Sequence, residues 1–183
     1  WCAALGPKMT AMAGERADGL LVHPFTSRLY LEQHTVPNVE LGLARAGRDA
    51  ADLTRVIGAI VGVHAGDGHD RDAALGAVRA MLGFYGSTPA YRPVLDAEGW
   101  GELQPSLRAL TKQGRWSELP DLITDEHVAT LAVVGSPAEA ARELASRFGD
   151  IADRLALSLP GRADVDLVAE LVRCYRENGA SAN

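Results

Sequence analysis

Two short stretches place chemically useful groups where an apolar run stops. Leu5-Gly6-Pro7-Lys8 closes the first run and opens a helical pattern. A helix starting there leaves unpaired N–H groups and the positive end of its dipole facing outward, which suits a phosphate. The same residues also make an ordinary tight strand-to-helix turn. His23-Pro24 ends the next run, Leu20-Leu21-Val22. An imidazole at a strand end can donate to a phosphate or a ring carbonyl, or be satisfied by nearby backbone. His64 stands near the end of a third run, before Gly66-Asp67-Gly68, and reads as a loop residue; His34, His69 and His127 read as surface.

A further group lies between residues 85 and 116, where Tyr85, Tyr91, Arg92, Trp100, Lys112, Arg115 and Trp116 are interspersed with glycine and proline. Such side chains could bind an anionic or apolar substrate. They could equally form a small satellite core, Trp100 and Trp116 packing with Leu103, Leu107 and Leu110. Cys2 and Cys174 sit far apart, with no zinc-ligand spacing, P-loop or nucleophile elbow, so no metal site is expected.

The elements that must position these groups follow from periodicity. Residues 1–5, 20–22, 54–65 and 155–159 read as four buried strands, the third rich in β-branched residues and uncharged after Arg55. Helices are expected over 8–16, with Pro7 in the first turn, from 26 or 27 towards Gly47 with Pro37 as an interruption, over 70–84, and over 164–178. Ser136-Pro137-Ala138-Glu139 is a capping box that opens a helix to about Phe148. Residues 85–133 depart from this rhythm and read as a helical and loop insertion, with a short helix over 105–113 and Thr124 capping another. Strands alternating with helices imply a parallel α/β sheet, and the turn after the first strand lacks the spaced glycines of a dinucleotide site, which favours a barrel or part-barrel.

The 183 residues, 47% hydrophobic and 23% charged, suit one globular domain. A net charge of −6 argues against nucleic acid as a partner. No apolar run is long enough to cross a bilayer, and the N-terminus lacks a signal-peptide pattern, so the expected compartment is the cytoplasm. The chain begins at Trp1 inside an apolar segment, which reads as a cut.

The segments Ala3-Ala4-Leu5-Gly6-Pro7-Lys8-Met9, Ala17-Asp18-Gly19-Leu20-Leu21, His23-Pro24-Phe25, Phe84-Tyr85-Gly86-Ser87 and Val134-Gly135-Ser136-Pro137-Ala138-Glu139, in this order and spacing, resemble the later strands and loops of luciferase-like oxidoreductases, especially those using the deazaflavin coenzyme F420. The closing stretch from Asp153-Arg154 to Leu159-Pro160 is similar too. The resemblance implies a TIM-barrel-like (β/α)8 fold of which this chain holds about strands five to eight, with the insertion before the last. It implies hydride transfer between F420, or alternatively FMN, and an organic substrate at the C-terminal mouth of the barrel. It places the coenzyme near Ala3, Ala4, Gly6, Pro7, Lys8, His23 and Pro24, and the substrate near Tyr85, Arg92 and Trp100. The family's acid, base and ring-stacking residues come mainly from the early strands, so no catalytic residue is assigned here. A half-barrel exposes two sheet edges, so an N-terminal half-barrel or a second copy forming a dimer is the expected partner. The reading of another class is a non-catalytic half-barrel that binds a ligand or serves assembly.

Overall fold

The computed structural model describes residues 1–66, 68–162 and 164–180, the last three for their backbone only. Strand β1 (Cys2–Ala4) leads through α1 (Pro7–Arg16) to β2 (Gly19–Val22). A composite helix follows, made of α2 (Arg28–Tyr30), a π turn (Leu31–Thr35) and α3 (Val36–Ala46). Pro37 has no N–H to donate, and the wider π turn before it accommodates that loss without breaking the axis. Gly47, at φ 63°, ends the helix in the left-handed conformation that only glycine adopts freely.

Strand β3 (Thr54–Val63) is ten residues long and organises the sheet. Its first half pairs in parallel with β2, through Gly19↔Thr54 to Val22↔Ile57. Its second half pairs with β4 (Ala132–Gly135), through Ile60↔Ala132 to Val63↔Gly135. Strand β5 (Arg154–Ser158) pairs with residues 56–60. Because Val56 and Ile57 face both β2 and β5, and Ile60 faces both β4 and β5, β2 and β4 share one edge of β3 and β5 takes the other. Between β3 and β4 come α4 (Gly68–Gly86), α5 (Arg92–Ala97), α6 (Leu103–Lys112) and α7 (Asp125–Leu131), and after β4 come α8 (Pro137–Phe148) and, beyond β5, α9 (Val165–Ala180).

Side-chain alternation gives β3 two different faces. Ile57, Ala59 and Val61, with Leu155 and Leu157 of β5, pack on Leu144, Phe148 and Leu171 of α8 and α9. On the same side Leu20 packs on Ala13 of α1 and Val39 and Leu43 of α3. Ile60, on the opposite face, joins Phe25, Val78, Leu82, Val94, Leu95 and Leu107, so the insertion shares its core with the upper half of the sheet. The lower half of that face is covered less completely: Val56 is buried, but its neighbours towards β1 are not. Leu21 is 41% and Trp1 60% exposed, and Trp1 reaches across to the Arg154 guanidinium, 5.8 Å from its ring.

α1 lies against α3 through two glycines. A Cβ at Gly42 would overlap the carbonyl oxygen of Ala11, and one at Gly14 that of Val39. Three expectations need correction. There are five strands among the described residues, not four, because β4 is added. His127 is not on the surface: it is 9% exposed, accepts the Thr124 N–H on Nδ1 at 3.1 Å, and meets Trp100 edge-on at 4.6 Å. Trp116 does not join the satellite core with Trp100, Leu103, Leu107 and Leu110; it is 51% exposed and lies on Phe84. The capping box at Ser136 forms as expected, the Ser136 N–H and hydroxyl both donating to Glu139 at 2.9 and 2.7 Å.

Candidate functional site

The site is built where β1 and β2 end. Gly6 is the N-cap of α1, in an extended conformation with no side chain closing the helix, and Pro7 takes the first helical position. Thr10 N–H donates to Gly6 at 3.0 Å to start the ladder, and no acidic residue lies in the first turn. A Cβ at Gly6 would meet nothing within 4 Å. The turn therefore presents free N–H groups and positive dipole to open space. That space is a cleft of about 310 Å³ lined by Leu5, Gly6, Pro7 and Thr10 on one side and Tyr30, His34, Thr35 and Asn38 on another, with Ala90 and Pro93 of the insertion above. Lys8 is exposed beside it.

Behind the cleft is a void of about 10 Å³ lined by Ala4, Leu5, Thr10, Val22, His23, Phe25, Thr26, Tyr30 and Thr35. The Thr26 hydroxyl is buried without a partner, and the space beside it suits about one water molecule. Ala4 packs towards α1, while its neighbour Ala3 is exposed on the open face of the sheet. The two alanines thus belong to different surfaces.

His23 is the hub. Its Nδ1 accepts the Phe25 N–H at 3.1 Å, its Nε2 lies 3.1 Å from the Tyr91 hydroxyl, and its ring stacks on Tyr91 at 4.4 Å and meets Tyr85 edge-on at 4.7 Å. Burial lowers its pKa, so the imidazole is neutral at pH 7. An Nδ1 that accepts has no proton, so the proton sits on Nε2, which lies beside the Tyr91 oxygen and cannot accept from it. The Tyr91 hydroxyl proton is left for another acceptor. Burial, and then the neighbouring Tyr85, push the Tyr91 pKa up, so it stays a phenol. Pro24 sits over Gly58 of β3, where a Cβ would come within 2.7 Å of the Pro24 nitrogen.

The structure therefore brings Gly6, Pro7, His23, Pro24 and Tyr85 to one end of the sheet under the insertion. It places two others apart. Arg92 is paired with Asp96 and Glu102 at 3.3 and 3.4 Å, and Trp100 is packed on His127. Tyr91, Thr10 and Thr26 enter the site without having been assigned to it; the one signal in the sequence was the position of Tyr91 within the aromatic insertion. His64 is 7% exposed with its Nδ1 unpartnered, beyond β3.

Residues 1–154 match the family described as luciferase-like monooxygenase. The chain belongs to that family. It is 44% identical over 153 residues to uncharacterized proteins of Mycobacterium tuberculosis and Mycobacterium bovis, covering 84% of this chain and 45% of theirs. It is 31% identical over 144 residues to a 5,10-methylenetetrahydromethanopterin reductase of Archaeoglobus fulgidus, covering 73% of this chain and 40% of that one. Among solved structures, the coenzyme F420 dependent tetrahydromethanopterin reductase of Methanopyrus kandleri superposes with a TM-score of 0.72 at 22% identity, over 93% of this chain and 47% of the other. An F420-dependent secondary alcohol dehydrogenase gives 0.55 at 18%, over 92% and 44%. The chain thus spans less than half the length of these relatives, and its α/β architecture is a partial barrel of the TIM type. No helix among the described residues is long and apolar enough to cross a membrane.

Proposed function

We propose that this chain is the C-terminal part of an oxidoreductase that moves a hydride between coenzyme F420 and a small organic substrate. The observation that carries the reading is the uncapped start of α1, aimed into a cleft that the insertion covers and that adjoins the His23–Tyr91 pair. Two of the similar solved structures are of F420-dependent enzymes, and that coenzyme carries a phosphate for which such a turn is suited. Gly6, Pro7 and Lys8 would hold the phosphate end, with Ala3, Ala4, His23 and Pro24 around the rest and Tyr85 on the substrate side. Bound there, the deazaflavin supplies or accepts the hydride; the chain's own residues bind it, orient it and cover it from water.

The open face around Leu21 and Trp1 is filled, in this reading, by an N-terminal half-barrel. Titrating F420 fluorescence with the polypeptide that carries both halves tests the proposal, and saturable quenching is the expected result. FMN is the second reading, favoured by the monooxygenase description of the family. Saturable FMN binding with none for F420 would replace the first reading with the second. No binding of either would leave the chain as a non-catalytic module.

A further inference from the structure

An aromatic surface runs outward from the His23 hub. Tyr85 lies 5.5 Å from Phe84, and Phe84 lies 6.1 Å from Trp116, centroid to centroid. Phe84 and Trp116 are each about half exposed, at 50% and 51%. Phe25 backs the inner end, 6.2 Å from Tyr85 and 5.8 Å from Tyr91. The rings form one continuous path from solvent to the end of β2. Ring faces and edges of this kind bind flat apolar molecules by stacking and edge contact.

Two arginines that flank these rings are already neutralised. Arg115 is ion-paired with Glu118, and Arg92 with Asp96 and Glu102. Arg108 and Lys112 are exposed on α6, whose core-facing residues are Gln104 and Leu107. His23 is neutral and Tyr91 is protonated. The two arginines beside the rings in sequence, Arg92 next to Tyr91 and Arg115 next to Trp116, are thus taken up by carboxylates, which disfavours an anionic ligand, and the directional group at the inner end is the Tyr91 hydroxyl, whose proton the N–H-bearing Nε2 of His23 does not accept.

We infer that the path from Trp116 through Phe84 and Tyr85 to Tyr91 is the substrate-binding surface, and that its substrate is an uncharged aromatic molecule bearing a carbonyl or hydroxyl oxygen that accepts the Tyr91 proton. This rests on the oxidoreductase reading for the purpose of binding there, but the surface can be tested without the coenzyme. The probe is 6-propionyl-2-(dimethylamino)naphthalene, a neutral fluorescent aromatic ketone, set against the anionic 1-anilinonaphthalene-8-sulfonate. The ketone should bind the protein more tightly than the sulfonate. Replacing both rings (Phe84→Ala with Trp116→Ala) should weaken the ketone at least about tenfold, as expected for losing two stacking partners. Tyr91→Phe should shift the emission of the bound ketone to the blue, because its carbonyl loses a hydrogen bond. Circular dichroism of each variant shows whether it is folded, and the single Trp116→Phe variant, which keeps a ring, should retain affinity. Equal or tighter binding of the sulfonate, or ketone affinity indifferent to the two alanines, would overturn the inference. A failed F420 titration alongside the expected dye results would sink only the coenzyme reading.

Discussion

Gly6-Pro7 after β1 and Ser136-Pro137 after β4 each hand a parallel strand to a helix with proline at its first position, yet the chain closes one turn and leaves the other open. At the second, the Glu139 carboxylate takes the Ser136 hydroxyl and N–H, and those hydrogen bonds, the hydroxyl first, hold its pKa below the usual carboxylate range. The start of α8 therefore carries its own anion. At the first, the N-cap has no side chain, the first turn has no acid, and the cleft stands in front. Identical backbone devices become a structural joint or a ligand seat according to whether a side chain three residues on satisfies the helix start.

The supports of the two helices differ as well, and this is where the largest effect is expected. α8 is held by large apolar side chains, Leu144 and Phe148, whereas α1 is held on α3 by backbone contact at Gly14 and Gly42. Gly42→Ala should cost about 3 kcal/mol or more, because backbone must move to admit the methyl group. Urea denaturation measures this, and a cost below 1 kcal/mol would mean that α1 is less tightly seated than its geometry indicates.

Closing the open turn comes next. Gly6→Asp puts an anion where a phosphate is proposed to sit, and should weaken F420 binding about 100-fold, the scale of losing a charged hydrogen bond and adding repulsion. With space around Gly6, folding should be unaffected. Opening the closed turn is a smaller change: Ser136→Ala should lower stability by about 1 kcal/mol, read as a drop in melting temperature, without creating a phosphate site while Glu139 remains.

The smallest effect concerns an exposed clamp between the helix before α3 and the end of α8. The Arg28 guanidinium bonds Asp150 at 2.5 and 2.8 Å and the Arg147 carbonyl at 2.9 Å, and the hydrogen bond from Arg28 lowers the Asp150 pKa to about 2. A depressed carboxylate contributes stability above its unfolded pKa, near 3.9, and loses it as pH falls through the folded value. Asp150→Asn should flatten the acid limb of the stability curve between pH 4 and 2. The Asp150 side chain is largely in water, so high salt should remove most of the difference.

Local chemistry made much of this legible. The strand at 54–63, the Gly47 stop, the Thr124 and Ser136 caps and the Pro7 helix start each depend on residues within a few positions of one another, so a linear reading finds them. The order of the segments also pointed to the family. Other features depend on partners far along the chain. Ala132-Val133-Val134-Gly135 follows α7 without a break, so its apolar run does not stand out from the helix before it, and it becomes a strand because the upper half of β3 has an edge that β2 is too short to fill. His127 is buried because Trp100 covers it, and a helical position alone does not tell which face will be covered. The Phe25 N–H two residues on sets the His23 tautomer, but the contact of His23 with Tyr91 spans 68 positions and no local spacing encodes it. The sequence by itself determined where most of the strands and helices begin and end; the tertiary structure decided where β4 forms, which helix start stays open, which rings stay exposed, and which arginines are already paired, because each of those depends on what another part of the chain brings within a few ångströms.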